Sequence, residues 1–408
     1  MFWDVVVIGA GAAGLLAGIH AAESGRRVLI LEKNKKPGVK ILMSGGTRCN
    51  LTHDTDRQGI VAAFGKPGQF LHAPLALLGP RELIHLVESE GVRTKVEATG
   101  KVFPVSNKAT DVLAALLRRL ERSGAQLVTN EGLVDWVFAS ETWTLRTTQR
   151  EVLARDVVLT TGGKSYPGCG TIGDGYRLAA KLGHTIVTPR PALVPITLAD
   201  SWAQELTGVT LSDVGVALTD SKGEIRDQRR GSFLFTHFGC SGPAVLDVSR
   251  AITAEPDPAS LVLNCDWTPG VSNQELLDEL QDLASTGGNR TLGAWLSDRV
   301  PQRLAERLAR LSGISSGQHL ATLGKVQRLR IVLLLRGTPL RVTGTLGFAK
   351  AEVTAGGIAL GEVDSRNMRS RVQPRLLVAG EVLDLDGPIG GFNFQAAFST
   401  GWLAGALK

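Results

Sequence analysis

The feature that most constrains this chain is a glycine turn near its start, Gly9-Ala10-Gly11-Ala12-Ala13-Gly14. An apolar run, Asp4–Ile8, leads into it, and Leu15–Ser24 follows with helical composition and ends at Gly25. Arg27–Leu31 is apolar again, so the first thirty or so residues read as one strand–helix–strand unit. In such a unit the first glycine makes the tight turn, the second lets a pyrophosphate reach the backbone, and the third lets helix and strand pack closely. The helix start then offers free N–H groups and the positive end of its dipole. Glu32 stands at the end of the second strand, 18 residues after Gly14, where a carboxylate accepts the hydroxyls of an adenosine ribose. Lys33, beside it, and Val134, in a later strand, are expected along the same edge.

A glycine turn plus an acid does not separate FAD from NAD; the end of the chain does. Leu376–Ala379 is a buried strand ending in Gly380-Glu381, and a carboxylate so placed reaches the ribitol of FAD in flavoproteins of the two-dinucleotide type. Gly390-Gly391-Phe392-Asn393-Phe394-Gln395 follows, and then a helix from Ala396 to about Leu407. A helix N-terminus at the flavin stabilises the anionic reduced form. Gly391, Phe392, Asn393 and Phe394 are therefore candidate cofactor contacts, with Gly380 and Glu381. Two further polar loops suit a backbone approach: Ser44-Gly45-Gly46-Thr47-Arg48-Cys49-Asn50, with Arg48 as a phosphate partner, and Thr161-Gly162-Gly163 after the strand Val157–Thr161.

Between these ends the pattern changes. Asp111–Ser123 carries apolar residues at helical spacing and stops at Gly124. Gln126–Asn130, Val134–Ala139 and Trp143–Thr148 read as an antiparallel meander. After about Thr188 strand-like pieces dominate (Leu211–Thr219, Arg230–Thr236). A helical block follows from about Asn273 to Leu311, broken at Gly287-Gly288. The strand–turn–helix pattern returns in the last 65 or so residues. The expected division is a cofactor domain from residues 1–188 and 343–408 and an inserted substrate region over 189–342, its helical part about 273–325.

Several of these segments are long enough to carry a resemblance. Ser-Gly-Gly-Thr-Arg-Cys-Asn at 44–50, Thr-Gly-Gly-Lys-Ser-Tyr-Pro at 161–167, Pro-Ala-Leu-Val-Pro at 191–195, Phe-Thr-His-Phe-Gly-Cys-Ser-Gly-Pro at 235–243, Glu-Val-Thr-Ala-Gly-Gly at 352–357 and Ala-Gly-Glu-Val-Leu-Asp-Leu-Asp-Gly at 379–387 resemble the aminoacetone-oxidase-like, BaiN-type FAD-binding proteins. The resemblance runs nearly end to end. It implies an α/β fold: a glutathione-reductase-type Rossmann FAD domain with an inserted β-barrel and a small helical domain. It also implies reduction of conjugated C=C bonds, in steroid-like enones or in uracil of ribosomal RNA, and FAD contacts at Gly9–Gly14, Glu32, Ser44–Asn50, Gly162, Glu381 and Gly391–Phe394. Thr47 departs from the family pattern, which often has glycine there. A flavin oxidase acting on a small amine or enone, or an electron carrier, are the alternatives.

Composition narrows the setting. The 408 residues carry a net charge of +6 and a pI of about 9.2, which permits polyanion contacts. Cys49, Cys169, Cys240 and Cys265 are scattered without a CxxC pair, which fits a reducing, cytoplasmic chain and gives no expectation of a metal site. The apolar start contains Asp4 and three glycines and lacks a basic lead, so neither a signal peptide nor a membrane span is expected. No second glycine turn with an acid appears; NAD(P)H or another reductant is then expected as a transient donor.

A C=C reduction needs a proton donor beside the flavin. The candidates are Cys49, in a cofactor loop, and His237, at a strand end of the inserted region. Over Asp298–Leu311, Arg299, Arg303, Arg307 and Arg310 form a stripe suited to phosphate, beside an apolar stripe, and RNA is the partner it suggests.

Overall fold

The computed structural model describes residues 2–286 and 288–406; Gly287 and Leu407, singled out above, lie outside these. Two compact units emerge, Met1–Pro191 with Glu352–Lys408, and Ala192–Ala351.

The first unit opens with β1 (Phe2–Ile8), α1 (Ala12–Glu23), β2 (Val28–Leu31) and α2 (Val39–Thr47). There follow β3 (Thr52–His53), α3 (Arg57–Ala63), α4 (His72–Leu77), α5 (Pro80–Ser89), β4 (Thr94–Val96), β5 (Lys101–Pro104) and α6 (Ala109–Ser123). β6 (Gln126–Val128), β7 (Leu133–Ala139), β8 (Thr142–Thr147), β9 (Glu151–Leu159), α7 (Asp174–Lys181) and β10 (Ile186–Ala192) complete this stretch. Its main sheet has the order β6-β2-β1-β9-β8-β7, with β18 (Leu376–Val378), from the C-terminal segment, also on β9. β1 pairs in parallel with β2 and β9. β9 is long enough to hold two neighbours on one side: its first residues pair antiparallel with β8, its last in parallel with β18.

The expected meander begins one strand later than the pattern suggested. β6 is a parallel neighbour of β2, and β7, β8 and β9 form the meander. Three consecutive strand-like segments look alike in sequence, and only their partners distinguish a sheet edge from a hairpin. α6 meets its expected end, with Gly124 left-handed at φ 81°. The sheet's core is aliphatic: Val5–Val7 and Leu29–Leu31 are buried, as are Val157–Leu159 and Leu376–Val378. This is the continuous apolar signature of parallel strands covered on both faces.

The second unit runs β11 (Ile196–Leu198), α8 (Ser201–Glu205), β12 (Thr210–Thr219), β13 (Ile225–Thr236), β14 (Gly239–Ser241), α9 (Pro243–Ala254) and β15 (Val262–Asp266). It continues with α10 (Asn273–Ser285), α11 (Leu292–Ser297), α12 (Gln302–Ser312), α13 (Lys325–Arg336) and β16 (Thr338–Thr345). The six strands close into a barrel, β11-β14-β13-β12-β15-β16, as the resemblance implied. Phe233, Phe235 and Trp267 fill it, with Trp267 edge-on to Phe233 at 5.3 Å and its indole N–H donating to Thr338 Oγ1 at 2.7 Å. The helical part runs on through α13 to Arg336. The chain then returns to the first unit with β17 (Val353–Ile358), β18 and α14 (Phe392–Gly405). α14 packs on α1, and Gly401 makes that approach possible: a Cβ there would stand 2.2 Å from Ala13 O.

Candidate functional site

The parallel strands of the first unit all end on one edge of the sheet. Ile8 is in register with Leu31 and Leu159, and Leu159 with Val378. Gly9, Glu32, Thr160 and Ala379, each the next residue, therefore lie in one row, and ligands of open α/β sheets bind outside such carboxyl ends.

The glycine turn shows three different reasons for glycine. Gly9 has φ +101°, a conformation that costs an L-residue strain. At Gly14 a Cβ would stand 1.8 Å from Gly9 O, so helix and strand can close only around a hydrogen. Gly11 has neither reason: its φ is −81° and a Cβ would meet nothing within 4 Å. The space beside Gly11 is open, at the start of a helix with no side-chain cap and no acid in its first turn. The N–H groups of Ala12, Ala13 and Gly14 have no intrahelical acceptors.

Glu32 is buried, and its two carboxylate oxygens accept Ala10 N and Asn34 N, each at 2.8 Å. Those bonds fix it at the turn and leave a lone pair on each oxygen. Lys33 turns to Asp174, at the start of α7. Val134, on β7, has an exposed side chain, and its carbonyl accepts from Arg177 at 3.3 Å.

α2 departs from helical geometry at Ser44, and the segment from there to Cys49 is strained. Gly45, Gly46, Thr47 and Cys49 all have positive φ, 56°, 66°, 69° and 64°. Such runs persist where the surroundings over-determine them, and Gly46 faces open space. Thr47 accounts for the departure noted above: the backbone there favours glycine. The Arg48 guanidinium lies 4.0 Å from the Phe103 ring centroid and pairs with Glu97 at 2.7 Å, so its charge is already answered within the unit. Asn50 is buried, and its Oδ1 has no hydrogen-bond partner. Ser44 Oγ donates to Ile41 O at 3.0 Å.

Thr161 Oγ1 is a second buried oxygen without a partner. Gly162 is left-handed at φ +72°, and Gly163 abuts Thr354, 2.4 Å from its Oγ1 if a Cβ were added. Gly380, at φ +82°, would place a Cβ 2.7 Å from that of Ala13, and its N–H donates to Thr400 Oγ1 at 3.0 Å. The C-terminal strand end is thereby held against the first turn of α1.

α14 begins earlier than its composition suggested, at Phe392 rather than Ala396, with Gly391 as an uncapped N-cap at φ 98°. A Cβ on Gly391 would stand 2.5 Å from the carbonyl of Thr52 and 2.9 Å from Asn50 Oδ1. Phe392 stacks on His53 at 4.6 Å, and Phe394 packs against Phe398 at 5.9 Å. Asn393 clamps the preceding loop, accepting from Gly387 N at 2.8 Å and donating to Gly387 O at 2.9 Å. Two uncapped helix starts, two unpartnered buried oxygens and a Glu-bearing strand end thus share one edge, which fits a long, polar, doubly anionic dinucleotide.

Three expectations fare differently. Cys49 has no accessible surface, and burial pushes its thiol up to about 12 despite a hydrogen bond with Ser44. Its sulfur reaches no open space, so the geometry gives it no substrate contact. His237 is exposed on the two-residue turn between β13 and β14, its ring edge-on to Phe238 at 4.9 Å. The arginine stripe is not continuous. Arg299 lies in the turn before α12, where it stacks on Trp295 at 4.1 Å and pairs with Glu279. Arg303 donates to the carbonyls of Thr207 and Glu205, and Arg307 pairs with the Glu205 carboxylate. Pro301 is the N-cap rather than a first-turn residue, and it displaces Arg299 from the helical face. Periodicity registers spacing and cannot register a break of one turn.

Sequence reading also missed Lys40, Ser165 and Thr354, which surround Glu381. Their signal was indirect: a half-buried acid needs donors, and the polar residues flanking each glycine loop supply them.

A Rossmann sheet carrying this edge, with a closed barrel in the chain between its two parts, defines an FAD-dependent oxidoreductase of the glutathione-reductase type. The chain belongs to the HI0933-like family, described as the HI0933-like protein Rossmann domain, which matches residues 3–407. It is 33% identical over 400 residues to the ribosomal RNA dihydrouridine synthase of Escherichia coli, covering 98% of this chain and 96% of that one. It is 30% identical over 402 residues to the 3-dehydro-bile acid delta(4,6)-reductase of Clostridium scindens, covering 98% and 97%. The 3-ketosteroid-delta4-(5alpha)-dehydrogenase of Rhodococcus jostii superposes with a TM-score of 0.53 at 16% identity, over 100% of this chain and 97% of that one, a likeness of fold. No helix among the described residues is long and apolar enough to cross a membrane.

Proposed function

We propose that the enzyme reduces a conjugated carbon–carbon double bond and that its substrate is a uracil base of ribosomal RNA. The observation that carries the reading is the full-length similarity to the Escherichia coli and Clostridium scindens proteins, whose names both describe adding hydrogen to unsaturated carbon. The Escherichia coli relative and the net charge of +6 favour RNA. The arginines near α12 lend RNA no support, because three of the four are spent inside the barrel unit.

On this reading the α1 N-terminus and the space at Gly11 receive the pyrophosphate, and Glu32 holds the adenosine ribose. The α14 N-terminus, Asn50 Oδ1 and the Thr161–Gly163 loop face the flavin end. FAD held there and reduced by two electrons would supply hydride to one carbon of the double bond. The other carbon takes a proton from an acid other than Cys49. NAD(P)H serves as a transient donor, and the four free thiols suit a cytoplasmic setting.

Anaerobically reduced enzyme should be reoxidised by a ribosomal RNA fragment carrying uridine, with dihydrouridine formed in equal amount. Cells lacking the protein should lose one dihydrouridine from their ribosomal RNA. Reoxidation by a steroid-like enone but not by RNA would reassign the substrate. Reoxidation by neither would overturn C=C reduction.

A further inference from the structure

Glu381 stands where a flavoprotein's ribitol carboxylate is expected, yet its hydrogen-bonding capacity is largely used. Oε1 accepts Ser165 Oγ at 2.9 Å and Thr354 N at 3.0 Å. Oε2 pairs with Lys40 Nζ at 2.6 Å. Lys40 also donates to Ser165 Oγ at 2.7 Å, so Lys40, Ser165 and Glu381 close a ring. The ring joins one helix and two loops at the sheet's carboxyl edge. Lys40 opens the helix whose end carries the strained 44–49 segment, Ser165 follows Thr161-Gly162-Gly163, and Glu381 follows β18. Thr354, on β17, braces it by accepting Lys164 N and Ser165 N at 2.8 and 2.9 Å.

A lysine ammonium has three donors. Two are spent in the ring, and the Lys40 side chain keeps a quarter of its surface exposed. Position in the sheet says which end of the cofactor this charge serves. Glu32, at the adenosine end, follows β2. Glu381 follows β18, three strands away across β1 and β9, a distance of roughly 14 Å at ~4.8 Å per strand. An extended dinucleotide anchored at Glu32 carries its redox-active end toward Glu381.

We infer that Lys40 is the cation that sets the flavin's reduction potential, and that Glu381 is its positioning residue rather than a ligand of the ribitol. A fixed cation beside a group that becomes anionic on reduction stabilises the reduced form. The carboxylate and Ser165 hold the ammonium in one place, so the charge is preorganised and not merely nearby. The inference rests on FAD occupying this edge.

The test uses flavin-loaded protein and two readouts that need no substrate: the midpoint potential and the affinity for sulfite, an anion whose flavin adduct is stabilised by the same cation. K40M should shift the oxidised-to-reduced ratio at fixed potential at least tenfold toward the oxidised form, about 30 mV for a two-electron couple. It should weaken sulfite binding at least tenfold while FAD content stays at one per chain. K40R should stay within threefold of the natural protein on both readouts. E381Q should change sulfite affinity in the natural background and have no further effect beside K40M, because it acts through Lys40.

An unmoved potential in flavin-loaded K40M would overturn the inference. So would equal loss of FAD in K40M and K40R, which would make Lys40 a brace. Loss of FAD affinity by E381Q in both backgrounds would return Glu381 to the ribitol. Natural protein that holds no FAD would overturn the functional reading itself, and this inference with it.

Discussion

The two units use polar residues in opposite ways. At the carboxyl edge of the sheet, hydrogen-bonding groups are held ready and unspent: Asn50 Oδ1 and Thr161 Oγ1 lack partners, and α1 and α14 start without side-chain caps. In the barrel unit the residues that look most like an anion site are consumed. Arg299, Arg303 and Arg307 face Glu279, Glu205 and backbone carbonyls. The barrel unit has orphans too, Thr236 Oγ1, Thr268 Oγ1 and Arg336 Nε. The last of these belongs to a guanidinium already paired with Asp266 at 2.6 Å. Residue type is thus a poor guide to binding, and unspent capacity at a shared edge is a better one.

The sharpest way to break this comparison is to fill two glycines of one turn. Gly14→Ala forces a Cβ onto Gly9 O and should destabilise the first unit by roughly 3 kcal/mol, read by urea unfolding of the cofactor-free protein. Gly11→Ala has room and an ordinary φ, so the same measurement should move by less than ~0.5 kcal/mol. FAD affinity in Gly11→Ala should nevertheless fall at least tenfold, about 1.4 kcal/mol, because the methyl occupies the ligand's space. Unchanged affinity in Gly11→Ala would mean that the open space beside α1 is not a ligand site.

Strain at the edge gives a smaller effect of opposite sign. Thr47→Gly relieves a left-handed threonine and should stabilise the protein by ~1 kcal/mol, seen as a higher midpoint in urea. A loss of stability would show that the Thr47 hydroxyl, which donates to Gly46 O at 2.6 Å, outweighs the strain.

The barrel unit supplies the converse. Arg307→Ala should cost up to ~1 kcal/mol of stability through its partly exposed pair and leave RNA affinity at low salt within twofold. A tenfold loss of RNA binding with stability unchanged would make the arginines ligands after all.

Buried thiols give a signal confined to alkaline pH, and both units share it. Burial raises the Cys49 thiol to about 12 and pushes the Cys240 thiol up as well. The unfolded chain releases these protons above the ordinary thiol range of ~8.5, while the folded chain keeps them. Stability should therefore fall as pH rises from that range toward 12, and Cys49→Ala should make the fall shallower. Native Cys49 should resist alkylation at pH 8, and C=C reduction should survive Cys49→Ala.

What was legible in the sequence was whatever leaves a local mark. Gly9–Gly14, the strand end at Glu32, Gly124 and the pair Gly380-Glu381 each force one backbone outcome on their neighbours. The partner of β6 left no such mark, because a short apolar segment pairs equally well in a hairpin or in parallel. Glu381 was found but its company was not. Lys40, Ser165 and Thr354 lie 341, 216 and 27 residues from it, and nothing local links them. Arg299 failed for the opposite reason: its spacing was right, and Pro301 broke the helix beneath it.

The division of the first unit between the two ends of the chain has a consequence in time. β18 and α14 complete the sheet and the helix pair that β1 and α1 begin, yet Ala192–Ala351 is synthesised in between. Those residues take roughly 8–30 s to make at ~5–20 residues per second. Throughout that interval β9 lacks its β18 neighbour and α1 lacks α14, while the barrel unit, continuous in sequence, can close as soon as it leaves the ribosome. The carboxyl edge of the sheet accordingly forms only after the barrel unit has been made, and a nascent chain cannot complete it until β18 and α14 have been added.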